Sequence, residues 1–410
     1  MQRFSFARTI APIALVLAGL SALGGAIPAP YEVATWQGFR PAAVSFTFDD
    51  SCPNQFTIAL PMFNAKGLKM TLFSCTGVMF AGWPNLNKAA AQGHEIASHT
   101  VTHTSFGGLT GAQQLAEMTN SQNAINANVT GQKCVTLAYP NCVEGTDSLV
   151  AQHYIAARIC SGQIVPKTPP NFMSISSYVC GAAGSIQTLP NFTNAANSAV
   201  APNGWCVYLI HGIDNDGGYS PLPSATLQQC ANFFSTNQDR FWVQTFGNVV
   251  RYIRERNAAT VVEAAQAEDS ITLAVSDGLD DAIYNYPITL RRPLPTNWTA
   301  AVASQNNAPI KAQTLRIQST NYIMFDVVPD AGSVILSKVT APLLSAPSLA
   351  DAMRLNIRLD GQAGARYAIS SSTNLVDWTP VQTNELVSAS STFSVEATNQ
   401  PVFFRAQWTQ

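Results

Sequence analysis

Charge is scarce in this chain. Only 11% of its residues are Asp, Glu, Lys or Arg, and the formal net charge is −2. So neutral a surface offers no electrostatic footprint for nucleic acid or anionic lipid, and neither is expected as a partner. Histidine is rarer still, at five residues, which makes each one worth locating. Cysteine is absent after Cys230 and no Cys-x-x-Cys occurs, so cysteine-held zinc is not expected. Long hydrophobic runs are lacking past the N-terminus. There, Arg3 and Arg8 precede an apolar run from Ile10 to Leu23 and the small residues Gly24-Gly25-Ala26. That run is short for a bilayer span. Residues 1–26 read as a secretory signal peptide, with an uncleaved anchor as the alternative, and no membrane span is expected after cleavage. The expected location is secreted or cell-envelope associated.

What is present agrees with export. All eight cysteines lie between Cys52 and Cys230, and an even number in an exported chain predicts up to four disulfides with open connectivity. The remaining chain of about 380 residues exceeds one ordinary core, so two or three domains are expected.

Two stretches carry chemistry. In Ala43-Val44-Ser45-Phe46-Thr47-Phe48-Asp49-Asp50-Ser51, apolar residues alternate with small or polar ones, as in a strand that ends on two adjacent carboxylates. Adjacent carboxylates repel unless one coordinates a cation, although an Asp-Asp-Ser turn would read the same way. The second stretch, Gly93 to His103, begins as a buried strand over Glu95 to Ser98 and sets His99 and His103 four residues apart. A helical turn after Ser98 would bring both imidazoles onto one face. Asp50, His99 and His103 then form a two-His, one-carboxylate set with open positions, and Asp49 is left beside it as a free base.

Thr47-Phe48-Asp49-Asp50, then His99-Thr100-Val101-Thr102-His103, then Leu209-Ile210-His211 resemble the motifs of the polysaccharide deacetylases, the family-four carbohydrate esterases. The resemblance covers residues of about 40 to 256. It implies an α/β fold, a distorted (β/α) barrel, with Asp49 as catalytic base, Asp50, His99 and His103 as ligands of a divalent metal, and His211 as general acid. Zn²⁺ is the leading metal, while Co²⁺ and Ni²⁺ also suit the set. The implied activity is metal-dependent release of acetyl groups from an acetylated polysaccharide or oligosaccharide of chitin, peptidoglycan or xylan type. The abundance of Asn, Gln, Ser and Thr suits such a neutral partner. Two other readings stay open: an amidohydrolase cleaving a small C–N bond, and an inactive carbohydrate-binding protein.

The chain departs from that family at the third motif, which usually runs Arg-x-Pro-Tyr and here reads Ala138-Tyr139-Pro140-Asn141. A backbone donor for the oxyanion survives at Asn141, but the Arg that braces the base is missing. Arg158 is the replacement candidate, since a guanidinium can clasp a carboxylate in bidentate fashion from another strand. No match to the fourth motif is seen. His94 and His153 read as structural, and Asp214 and Asp216 as turn residues.

Alternating strand-like and helical runs to Arg256, among them Met70 to Ser74, Cys134 to Tyr139, Tyr154 to Ile159, Ser174 to Val179 and Trp205 to His211, predict a parallel sheet. Beyond it, short β-prone runs predict small sandwich-like modules. The expected division is a catalytic domain over 27–257, a β-sandwich over 258–340, a linker at 341–350 and a small β domain over 351–410. Trp298, Trp378 and Trp408 are either core residues or sugar-stacking platforms.

Overall fold

A computed structural model describes residues 30–396 and 402–409, apart from 81, 346 and 352. The expected signal segment lies outside the described residues.

After a short strand β1 (Glu32–Val33), the first half of the chain winds strands and helices into one curled parallel sheet. Its strands are β2 (Ala42–Asp49), β3 (Thr71–Ser74), β4 (Glu95–Ser98), β5 (Thr136–Ala138), β6 (Ala156–Arg158), β7 (Tyr178–Val179) and β8 (Trp205–Ile210). They lie in the order β6-β5-β4-β3-β2-β8-β7, and β9 (Phe241–Val243) runs beside the start of β2. The segment expected as one strand over Ser174 to Val179 bridges the opening. Ile175 exchanges backbone hydrogen bonds with Ala157 and Ile159 of the β6 edge, and Tyr178–Val179 pairs with β8. Around the sheet lie α1 (Leu60–Ala65), α2 (Gly82–Ala91), α3 (Gly111–Asn128), α4 (Asp147–Val150), α5 (Leu189–Ser198), α6 (Ser224–Thr236) and α7 (Phe246–Ala258).

Local sequence explains these elements. Every residue of β2 is buried, as expected of a parallel strand covered on both faces. Phe46 packs among the rings of Phe63, Phe192, Tyr208 and Phe234. On the other face Ser45 and Thr47 donate to the carbonyls of Gln244 and Tyr208. Helix α3 opens with a capping box in which Thr110 accepts from the Gln113 backbone N–H and Gln113 reaches back to Thr110.

The starts of the strands are held by one carboxylate. Glu95, the first residue of β4, accepts from the hydroxyls of Thr71 and Thr136, the first residues of β3 and β5, at 2.8 and 2.6 Å. It also accepts from the Gly247 N–H at 2.8 Å, at the N-terminus of α7, where a negative charge suits the helix dipole.

Beyond α7 the chain is all antiparallel. Strands β10 (Thr260–Gln266), β11 (Ser270–Ser276), β12 (Ile288–Pro293), β13 (Ala301–Gln305), β14 (Ala308–Ile310), β15 (Ala312–Ile317), β16 (Thr320–Val327) and β17 (Val334–Lys338) form two sheets, ordered β1-β12-β16-β15 and β10-β11-β17-β13-β14. Strand β1 thus pairs with a strand far along the chain, and Ile271, Leu290 and Phe325 share one core with Val250 and Ile253 of α7. Residues 341–350, expected as a linker, contribute Leu343–Leu344 and Ser348–Asp351, which pair with Arg354–Asp360 in a further sheet. Backbone pairing outweighs their Pro- and Ser-rich composition. Trp298 is a core residue, buried with its indole N–H on the Glu268 carbonyl, and Trp378 lies under the guanidinium of Arg405.

Of the up to four disulfides expected, the structure holds one, Cys142–Cys160, while Cys52, Cys75, Cys134, Cys180, Cys206 and Cys230 are free and buried. Cys134, Cys180, Cys206 and Cys230 pack within the main core as small apolar side chains, and burial pushes the thiols of Cys206 and Cys230 up to about 12.

Replacing Glu95 with Ala strands two buried hydroxyls and a helix-terminal N–H. Urea unfolding should show a loss of about 2–4 kcal/mol, and a loss under about 0.5 kcal/mol would contradict this role.

Candidate active site

The strands end around a pocket of 420 Å³ lined by Asp49, Asp50, His99, His103, Tyr139, Asn141, the Cys142–Cys160 pair, Val179, Leu209, His211 and Tyr219. Asp49 is the last residue of β2, and the chain then turns through left-handed backbone at Asp50 (φ 69°) and Ser51 (φ 55°). This sharp turn lets two consecutive carboxylates line the same mouth, which an extended strand would forbid. Gln55 fastens it by donating to the carbonyls of Asp49 and His211 at 2.6 and 2.9 Å.

His99 and His103 converge by a different route from the expected helical turn. The segment after β4 is irregular, with Thr100 at φ 67° and His103 at φ 61°. Glu117 of α3 clasps it, accepting from the N–H groups of Val101 and Thr102 at 2.8 and 2.9 Å and from the Thr102 hydroxyl at 2.7 Å. Those N–H groups go to a side chain in place of an i−4 carbonyl, so the loop replaces a helix. Spacing gave no sign of Glu117.

His99 donates from Nδ1 to the Ala138 carbonyl at 2.8 Å, which leaves the Nε2 lone pair facing the pocket. That Nε2 is buried without a hydrogen-bond partner. It lies 3.6 Å from Asp50 Oδ1, which is also 3.6 Å from His103 Nε2. Ligand atoms of Asp50, His99 and His103 all fall within 4.8 Å of one another. Two imidazoles and a carboxylate, one of them with an orphaned buried nitrogen, suit a divalent transition ion. Burial pulls the His99 imidazole below its usual range despite Asp49 and Asp50, which favours the neutral, ligating form.

Asp49 is almost fully buried. Burial alone would raise its carboxyl, but Arg158, His99 and His211 together outweigh this and hold it below the usual carboxylate range. Arg158 Nη2 donates to Asp49 Oδ2, while Nη1 donates to the Ser177 hydroxyl at 3.1 Å. The expected bidentate clasp is therefore a single contact, because the second arm of the fork is taken by Ser177. Asp49 Oδ1 is left buried and unpartnered. His211 Nε2 lies 3.9 Å from Asp49 Oδ2, and its ring meets the edge of Tyr219 at 5.0 Å. Burial lowers the His211 pKa, with Asp49 and Asp50 offsetting part of the effect.

Asn141 stands in the turn Pro140–Cys142 at φ 55°, and its side chain donates to the Ser105 hydroxyl at 2.8 Å. Tyr219 and the disulfide were not foreseen in the pocket wall, since a lone Tyr in a Gly-Gly-Tyr loop carries no spacing signal. His94 is structural, with its two ring nitrogens on the Met70 N–H and the Asn64 side chain. Asp214 and Asp216 accept from the Ser224 and Asn54 N–H groups at 2.8 and 3.2 Å and so serve the loops.

With this geometry in place, residues 37–155 match the family model described as polysaccharide deacetylase. Those residues therefore form a polysaccharide deacetylase domain within the longer chain. A gellan lyase of Bacillus sp is 31% identical over 339 residues, which is 76% of this chain and 13% of that protein. That alignment is too long to be confined to the deacetylase domain, and this chain spans only a small part of that relative. Among solved structures, a family 4 acetyl xylan esterase from Clostridium thermocellum in complex with a cobalt ion is 15% identical with a TM-score of 0.38, covering 50% of this chain and 89% of that one. PuuE allantoinase is 14% identical with a TM-score of 0.43, covering 54% and 92%. Arg158 and His211 lie beyond the matched segment, and geometry alone brings them to Asp49.

If Asp50, His99 and His103 hold a divalent ion such as Zn²⁺, Glu117→Ala in the polysaccharide deacetylase domain should weaken its retention about tenfold or more in equilibrium dialysis, because it frees the loop that carries His103. His211→Ala should leave Zn²⁺ content nearly intact. Equal loss in both variants would refute the division between ligand set and acid.

Proposed function

We propose that the domain removes acetyl groups from an acetylated polysaccharide, in a secreted or envelope-associated protein, with a divalent ion held by Asp50, His99 and His103. The orphaned Nε2 of His99 beside Asp50 Oδ1 is the observation that carries this reading. Such an ion, Zn²⁺ in the leading case, would supply a Lewis acid for the acetyl carbonyl and would bring the pKa of water from about 15.7 to about 7.

The remaining steps fall to the chain's own atoms. Asp49 stays ionised because Arg158 holds Oδ2, and the free Oδ1 accepts the proton of the attacking water. The backbone N–H of Asn141, in the pocket wall, is offered to the oxyanion as the carbonyl becomes tetrahedral. His211 Nε2 delivers a proton to the departing sugar oxygen or nitrogen, with Asp49 and Asp50 favouring its protonated form against the effect of burial. The hydrophobic wall of Val179, Leu209 and Tyr219 suits an acetyl methyl and a sugar face. Export is supported by the N-terminal sequence pattern and by the Cys142–Cys160 bond.

Acetate release should be seen from acetylated xylan or from chitin oligomers, should vanish with a chelator, and should return with Zn²⁺. Release of ammonia from small amides without release of acetate from either polymer would favour the amidohydrolase reading. His211→Ala should lower kcat by about 10²–10⁴-fold. Arg158→Met removes the cation that keeps Asp49 ionised, so the Asp49 pKa rises and the acidic limb of the kcat/KM profile moves to higher pH. Arg158→Lys should restore part of the shift; an unmoved limb in Arg158→Met would remove Arg158 from the mechanism.

A further inference from the structure

Far from the strand ends, carboxylates gather where α7 meets the sandwich. Asp277 and Asp281 follow β11, Asp330 follows β16, and Glu255 comes from α7. One carboxylate oxygen from each of Asp277, Asp281 and Asp330 lies within 4.8 Å of the others. Asp277 is only 6% exposed. Its Oδ1 accepts from the Leu279 N–H at 2.8 Å, while its Oδ2 is buried and has no hydrogen-bond partner. Glu255 repeats the pattern independently. It is 0% exposed, its Oε1 accepts from the Tyr286 N–H at 2.8 Å, and its Oε2 is buried and unpartnered.

Among the described residues, no Lys, Arg or His forms an ion pair with any of these four acids. The nearby Arg251 is spent elsewhere, donating to the Ile283 carbonyl at 2.8 Å and to Asn248 at 2.9 Å. Burial, aided by neighbouring acids, pushes the Asp277 and Glu255 carboxyls up, Glu255 to about 8, against the pull of their backbone N–H bonds and, at Glu255, of the Arg251 charge. Converging carboxylates with orphaned buried oxygens and no ion-paired cationic side chain are what a bound cation relieves.

We propose that Asp277, Asp281 and Asp330 bind a calcium ion, with Glu255 supplying further negative charge, and that this ion fastens α7 to the β-sandwich. The donors are all oxygen, with no imidazole or thiolate, which selects a hard cation, and loop-borne carboxylates suit the loose coordination of Ca²⁺ better than the octahedron of Mg²⁺. The loop between Asp277 and Tyr286 already grips α7 through Glu255 and Arg251, so holding its first turn closes a strap across the junction.

The test uses the full chain, stripped with EGTA and then given Zn²⁺. Added Ca²⁺ should raise Tm with half-saturation at about 0.1–1 mM, and Mg²⁺ at the same concentration should not. Tb³⁺ luminescence sensitised by Tyr284 and Tyr286 should appear and be quenched by Ca²⁺. Asp277→Asn should abolish both signals and, without Ca²⁺, should melt above the unsubstituted chain because a buried unpaired charge is gone. Asp281→Ser, at an exposed position that folding tolerates, should weaken Ca²⁺ about tenfold or more. Asp50→Asn should keep the full Ca²⁺ shift. The proposal fails if the unsubstituted chain shows neither signal up to about 10 mM Ca²⁺. It also fails if Asp277→Asn and Asp281→Ser respond like the unsubstituted chain, or if Asp50→Asn loses the shift.

Discussion

A buried carboxylate that must stay charged sets the terms for the barrel end of this protein. Burial alone would neutralise Asp49, and the guanidinium of Arg158 keeps it ionised from a strand four places along the sheet. Arg158 is itself almost wholly buried, so its own desolvation has to be offset. The Ser177 hydroxyl and the face of Phe73, 5.2 Å away, offset part of it, while Nε stays without a partner. Because one fork of the guanidinium is engaged with Ser177, only one oxygen of Asp49 is occupied and the other is left for chemistry.

The barrel separates stability from chemistry along its axis. At the strand starts, Glu95 gathers β3, β4, β5 and the tip of α7 into a fully satisfied polar knot. At the strand ends, polar atoms are left unsatisfied, among them His99 Nε2, Asp49 Oδ1, His211 Nδ1, Tyr139 Oη and Arg158 Nε. Orphaned polar atoms are costly, and their concentration at one mouth marks where ligand and substrate are to complete them. The Cys142–Cys160 bond ties the loops after β5 and β6 across this same mouth, while four of the six free cysteines fill the core.

The β-region is joined to the barrel rather than strung behind it. Strand β1 precedes the barrel in sequence and pairs with β12 beyond it, and α7 contributes to a core shared with the sandwich. Trp298, one of the aromatic residues that could have met sugar, is consumed in that region's own packing.

Sequence alone was enough for the parallel β/α class and the antiparallel region after it, and it singled out Asp49, Asp50, His99, His103 and His211, which the fold brings to one pocket. Hydrophobic period and motif order are local or ordered along the chain, and so can be read there. Arg158 could be nominated from the gap left at Ala138, but its single-armed contact depended on Ser177, nineteen residues on and in another segment. Glu117, Tyr219, the lone disulfide and the pairing of β1 with β12 were decided by tertiary structure. Each depends on where backbone groups with no local partner find one, and that is fixed only when distant segments pack. The left-handed turn at Asp50 and the non-helical loop to His103 belong with them, since the strand end and the Glu117 clasp select conformations that residue spacing does not encode.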